Sequence, residues 1–385
     1  MSMIENKGAL SNIRVLDVSR LLPGPFCSMI LADHGARVIS VEGRRFLADG
    51  FFFDTVNRNK EHLSLNLKSE KGKEIFFQLA RQSDIVIEGF RPGVAKRLGI
   101  DYQSVSAINP GVIYCSITGF GQTGARRDRP GHDVNYLGYS GMLDLNGEAD
   151  RPPSIPGVQI ADIAGGGMAA VNGILLALFA REKTGKGQFI DISMTDNMVA
   201  LLPAALFFSK LTGKNPKRAD EILSHRFACY NTYETADHRF LSMGCLEPRF
   251  WNALCVHLEV PEYSALQFDE GRRTEITQFM REKFAEKTLA QWESDLAGVD
   301  ICWGGIQTLS EVLSDPSFIE RGAVVEMTKK DGTSEKTIGV PVKLSQTPGS
   351  VRTPPPKFGE HSRAILKELG YSDGQIDGLA KEEVI

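Results

Sequence analysis

Paired cysteines are missing from this chain. Its six cysteines, Cys27, Cys115, Cys229, Cys245, Cys255 and Cys302, are scattered, and none falls in a C-x-x-C pair. That argues against a disulfide framework or a zinc site and suits a reducing cytoplasm. Charge of one sign is lacking too. The formal net charge is −4, so the whole-molecule field draws in neither nucleic acid nor an anionic membrane. Any anion site must come from a local cluster of Lys and Arg. No apolar run reaches the length of a membrane span, and the N-terminus lacks the pattern of a signal peptide. There is no internal repeat, and the one biased stretch is Pro-rich, at 353–356. No P-loop is present, which disfavours nucleoside triphosphate hydrolysis.

What is there reads as a globular α/β protein. Apolar residues make up 42% and charged residues 24% of the 385 positions, an ordinary balance for a chain of about two domains. Strand-like "IRVLDV" (13–18), "RVISV" (37–41), "DIVIEG" (84–89), "GVIYCSIT" (111–118) and "QFIDISM" (188–194) alternate with helix-like text. "SEKGKEIFFQLARQS" (69–83) has helical period, with Ile75 and Leu79 on one face, and a long helix is expected from about Gly165 to Arg181. Such alternation predicts a parallel sheet flanked by helices, with ligands at the carboxyl ends of the strands. The character then changes. "CYNTYETADHRFLSMGC" (229–245) reads as two strands joined by a polar turn, and amphipathic helical text follows. The expected layout is a large domain over 1–200, a linker at 201–225, a small α+β domain at 226–325, a second linker at 326–340, and a return to the large domain at 341–385.

"TGFGQTG" carries Gly119, Gly121 and Gly124 as G-x-G-x-x-G after a strand. The charged "ARRDRPG" that follows cannot open the required helix, so a tight glycine turn is expected instead of a dinucleotide site. Three basic segments follow early strands: "GRRF" (43–46), "NRNKEHLSLNLK" (57–68) and "FRPGVAKRLG" (90–99). A solvated surface charge explains any one of Arg44, Arg45, Arg58, Lys60, Arg91, Lys96 and Arg97. Several converging on one sheet edge suit phosphates. Three further residues bear acid–base chemistry. His132, in "PGHDVNYLGYSG", is either a loop histidine or a base. Asp162, in "QIADIAGGG", is an N-cap carboxylate or a site group beside glycines that permit close approach of a ligand. Glu247, in "MGCLEPRFW", is a first-turn glutamate or a third member of that site.

"GHDVNYLGYSG", "ADIAGGG", "REKTGKGQFIDISM" and "TYETADHRFLSMGCLEPRFW" resemble the racemase branch of the class III CoA-transferase family, and "VLDVSRLLPGPFCSMILADHGARVI", "NRNKEHLSLNLK" and "VIEGFRPGVAKRLG" resemble that family at large. The resemblance runs from about residue 10 to about residue 370. It implies a Rossmann-like large domain built from both chain ends, a small inserted α+β domain and an interlocked homodimer. It assigns His132 and Asp162 as two bases, Glu247 as the partner of the histidine, and the Asp133 backbone N–H as the group facing the thioester oxygen. It assigns Leu21, Leu22, Arg44, Leu65, Leu67, Gly89, Phe90, Arg91 and Arg97 to coenzyme A, which enters as part of the substrate; no other cofactor and no metal is implied. Two positions depart from the family pattern. Gly43 stands where a basic residue usually follows the acid Glu42, and Asn66 stands where the family usually has Asp. The implied reaction is inversion of the α-carbon of a 2-methylacyl-CoA-type thioester by 1,1-proton transfer. The rival is transfer of CoA between an acyl-CoA and a carboxylic acid through an aspartyl-CoA thioester at Asp162. Related transferases commonly have Tyr where His132 stands.

Overall fold

The computed structural model describes residues 7–44 and 54–385; Arg45 and Phe46 of the first basic segment lie outside them. Six strands form one sheet: β1 (Arg14–Asp17), β2 (Arg37–Glu42), β3 (Lys60–Ser64), β4 (Ile85–Glu88), β5 (Ile113–Thr118) and β6 (Gln188–Ser193). Every pairing is parallel, and the spatial order is β3-β2-β1-β4-β5-β6. The order reverses between β1 and β4, which opens a crevice beyond their carboxyl ends. β4 and β5 are buried throughout, the mark of apolar strands covered on both faces.

The helices follow from local chemistry. In α1 (Pro23–Asp33) the prolines sit in the first turn, where no N–H is needed. In α2 (Glu70–Arg81) the Ser69 hydroxyl accepts the Gly72 N–H at 2.9 Å, and Ile75, Phe76, Leu79 and Ala80 face the core. Such a cap stabilises by about 1 kcal/mol. Short helices α3 (Val94–Leu98), α4 (Tyr102–Ser106) and α5 (Asp133–Tyr139) come next. A π-helical stretch, Ala161–Met168, then runs into α6 (Ala169–Thr184), and Gly185 at φ 67° stops it. Together these 24 residues are long and apolar enough to cross a membrane by length and composition, contrary to the expectation that no run reaches that length. In the structure Ala170, Val171, Ile174 and Ala177 of this helix are buried in the protein. Helix α7 (Met194–Val199) follows β6 directly.

The basic segment 57–68, expected only to follow a strand, itself contains strand β3. Lys60 within it is buried, donating to the Pro25 carbonyl at 2.8 Å and to Asn57 Oδ1 at 3.0 Å. A charge inside a strand hides the strand from hydrophobic pattern.

The chain packs into two compact units. The first comprises residues up to Ser140, Pro156–Leu201 and Leu313–Ile385, and holds the parallel sheet. Its C-terminal part includes helices Ser362–Glu368 and Asp373–Lys381, and Ile365, Leu366, Ile376 and Leu379 join the core above α2. The second unit comprises Gly141–Ile155 and Leu202–Val312. The expected linker at 201–225 contains helix α8 (Pro203–Thr212), opened by a proline and closed by Gly213 at φ 67°. Strands β7 (Tyr230–Glu234), β8 (Phe240–Gly244) and β9 (Trp303–Gly305) form an antiparallel sheet. Helices α9 (Pro248–His257), α10 (Arg273–Phe284) and α11 (Leu289–Leu296) pack around a core that holds Tyr233, Trp251, Phe284 and Trp292. The expected linker at 326–340 lies in a hairpin of β10 (Val324–Thr328) and β11 (Ser334–Ile338).

Candidate functional site

Two adjoining cavities, of about 450 and 490 Å³, open at the carboxyl ends of β1 to β4 and share Val18, Arg20, Lys68, Phe90 and Leu98. Arg44, Leu65, Leu67 and Phe90 line the first; Leu21, Gly89, Phe90, Arg91 and Arg97 line the second. Leu22 lines neither and stands at the head of α1. Sequence reasoning missed Arg20, Lys68 and the residues Glu383–Ile385, which also form the walls. Lys68 lay inside a motif already singled out; nothing in the sequence ties 383–385 to the crevice. Arg20 is ion-paired with Glu42. Guanidinium and ammonium groups set among apolar walls suit a ligand with phosphates at one end and an apolar part at the other. Leu21 has φ 65°, a left-handed conformation that costs a non-glycine residue on the order of 1 kcal/mol or more.

The basic cluster divides in the structure. Arg58 is 3% exposed and ion-paired with Asp33 at 2.7 Å, and Lys60 is turned inward as described. Both hold the fold together. Burial pushes the Lys60 ammonium down to about 8. Lys96 is exposed and lines neither cavity.

The acid–base residues of the first unit are linked through Asp133. His132 is exposed, in extended backbone just before α5, and its N–H donates to Asn135 Oδ1 at 3.0 Å. Asp133 opens α5, is 7% exposed, and its Oδ1 accepts the Asp162 N–H at 3.0 Å. The N–H groups of a first helical turn have no partner within the helix, and that of Asp133 is one of them. Asp162 is half-buried, the second residue of the π-helical stretch, and so not an N-cap. Burial, then the charge of Asp133, pushes its carboxyl up to about 6, while His132 pulls the other way.

The glycines beside it have a different task from the one expected. A Cβ on Gly166 would fall 2.7 Å from Pro23, and one on Gly167 2.7 Å from the Phe26 ring, while Gly165 faces Met194 at 2.9 Å. They let α1 and α7 pack against the helix, and not a ligand. The glycine turn after β5 opens no helix, as expected. A Cβ on Gly119 would fall 2.3 Å from the Tyr136 ring, so this turn seats Tyr136 of α5, whose hydroxyl donates to the Gly131 carbonyl.

Glu247 belongs to the second unit. It immediately precedes α9, and its carbonyl accepts from the Phe250 N–H at 3.0 Å. It is the capping position and not a first-turn residue, and its carboxylate is exposed and makes no capping bond.

The sequence matches the family described as CoA-transferase family III over residues 10–362. It is 35% identical to the α-methylacyl-CoA racemase of Homo sapiens, over 98% of this chain and 97% of that protein. It is 33% identical to the succinyl-CoA:glutarate CoA-transferase of Mus musculus, over 98% of this chain and 90% of that protein. A CAIB/BAIF family protein from Brucella suis has a similar crystal structure, with a TM-score of 0.83 and 31% identity over 95% of this chain and 100% of that one.

Proposed function

The chain belongs to CoA-transferase family III, and we propose that within it this protein inverts the α-carbon of 2-methylacyl-CoA-type thioesters. The observation that carries this reading is the bond from the Asp162 N–H to Asp133, the neighbour of exposed His132, together with the half-burial that pushes the Asp162 carboxyl up to about 6. A thioester α-proton is weakly acidic, so its removal needs a placed base and a stabilised enolate oxygen. One of the pair takes the proton. The C–H electrons pass into the carbonyl, and the enolate oxygen accepts the Asp133 N–H. The other group returns a proton to the opposite face. A carboxyl raised toward neutrality serves in both roles, as does an imidazole. Glu247 is the proposed partner that steadies the imidazole. The crevice holds the CoA portion, its phosphates on Arg44, Lys68, Arg91 and Arg97. The exposed apolar side chains Leu175, Leu176 and Phe179 on α6, and Leu206, Phe207 and Leu211 on α8, support burial in a homodimer. In heavy water, a 2-methylacyl-CoA is expected to gain one deuterium at the α-carbon without any acceptor acid. No exchange across a panel of such thioesters would overturn the reading.

A second reading has a specific observation behind it: relatives named as transferases match nearly as well as those named as racemases. There Asp162 attacks the thioester carbonyl, expelling CoA thiolate and leaving a mixed anhydride. The thiolate then attacks the aspartyl carbonyl and releases the free acid, giving an aspartyl-CoA thioester. Hydroxylamine added with acyl-CoA would then modify Asp162, and turnover would require a free acid.

A further inference from the structure

Strand β4 ends in Glu88, which is 4% exposed and lines neither cavity. Two donors converge on it. The Phe90 N–H donates to Oε2 at 2.6 Å, and the Ser116 hydroxyl donates to Oε1. Ser116 Oγ in turn accepts from Gln122 Nε2 at 2.7 Å. The backbone N–H of Gln122 is held by the Asp191 carboxylate at 2.9 and 3.2 Å. One buried carboxyl therefore joins two segments. The first, Gly89–Arg91, lines the crevice. The second is the Gly119–Gly124 turn, which seats Tyr136 of the helix headed by His132 and Asp133.

We propose that Glu88 is a positioning residue that ties the thioester-binding loop to the turn behind His132, so that filling the crevice and orienting the proton-transfer pair are coupled. This rests on the reading of the crevice as a CoA site. It adds a residue that touches neither substrate nor reacting atoms.

The charged and titratable groups facing Glu88 are Asp191 on β6 and the Tyr114 phenol and Cys115 thiol on β5. Burial pushes the Glu88 carboxyl up to about 7; Asp191 adds to this, while the Ser116 and Phe90 donors oppose it. A proton on Glu88 removes the charge that strengthens the bonds from the Phe90 N–H and the Ser116 hydroxyl, so both become weaker neutral bonds. The tie is firm on the alkaline side of this range and loosened on the acid side.

The test is calorimetric binding of acetyl-CoA to the full chain from about pH 6 to about pH 8. Wild-type affinity is expected to weaken about 5-fold toward the acid end, in step with the loss of charge assistance from the two accepted bonds. Glu88→Gln presents amide hydrogens to Ser116 at every pH. It should bind about 5- to 10-fold more weakly at the alkaline end and show little slope. A slope arising from the CoA phosphates would persist in Glu88→Gln. Wild-type-like affinity with an unchanged slope in Glu88→Gln overturns the proposal. Should that variant not fold, Ser116→Ala and Gln122→Ala carry the test through α-proton exchange. Each should lower kcat about 3- to 5-fold, and the double variant should do no worse than either alone; additive losses overturn the proposal. Failure of the wild type to bind any CoA thioester would overturn the reading of the crevice, a different result from bound ligand with an indifferent Glu88.

Discussion

The crevice and the proton-transfer pair occupy one unit and are built on opposite plans. The crevice is broad, and apart from Arg20, paired with Glu42, its cations are loosely held: among the described residues, Arg44, Lys68, Arg91 and Arg97 have no carboxylate partner. They are free to meet phosphate. The pair is narrow and set in advance. Asp162 has its backbone fixed by Asp133 and its carboxyl shifted by burial. On the proposed reading, recognition is spread over many replaceable contacts, while chemistry rests on His132 and Asp162, of which Asp162 is already set in place. Substitutions should separate the two plans cleanly.

The largest effect is expected at Asp162. Asp162→Asn should lower α-proton exchange about 1,000-fold or more, measured by mass spectrometry in heavy water. The same variant should melt at higher temperature. The folded-state pKa is raised from 3.8 to about 6, so the folded protein holds this proton more tightly than the unfolded chain. Stability contributed by Asp162 is therefore present at low pH and lost as pH rises through about 6. The gain in Tm should be larger at neutral pH than near pH 4; equal gains would contradict the shift. Next comes His132→Gln, expected to lower kcat about 100- to 1,000-fold with KM little changed. The pH profile of kcat/KM should follow. The active form of the pair holds one proton, so the acid limb should fall near the Asp162 value of about 6, and in parallel for both enantiomers. An acid limb near 4 would sink the assignment. Arg91→Ala should raise KM about 10-fold and spare kcat. Lys96→Ala, outside both cavities, should change neither parameter beyond about 2-fold.

Much of the sheet was legible because β1, β2, β4, β5 and β6 are apolar runs bounded by turns. β3 was not, since Lys60 and His62 mark it as polar while Lys60 Nζ and His62 Nδ1 find hydrogen-bond partners inside the fold. Similarly, Arg58 and Lys60 read as surface cations by type. Only their partners, Asp33 in one case and Pro25 and Asn57 in the other, show them to be internal. His132 and Asp162 stood out by residue type and by the family pattern. The bond between Asp133 and the Asp162 backbone spans 29 positions and obeys no spacing rule. The triple glycine was visible, but its purpose was not: whether a ligand or a helix fills the space depends on where Pro23, Phe26 and Met194 come to lie.

The crevice wall at Glu383–Ile385 is the last part of the cavity to be synthesised. Val384 accepts the Asn66 N–H at 2.7 Å, and its neighbours close the cavity that Val18 and Arg20 begin. A ribosome adds about 5–20 residues per second. More than 360 residues separate Arg20 from Ile385, so the first wall waits tens of seconds for the last. The crevice is thus unfinished for as long as the second unit is still being made.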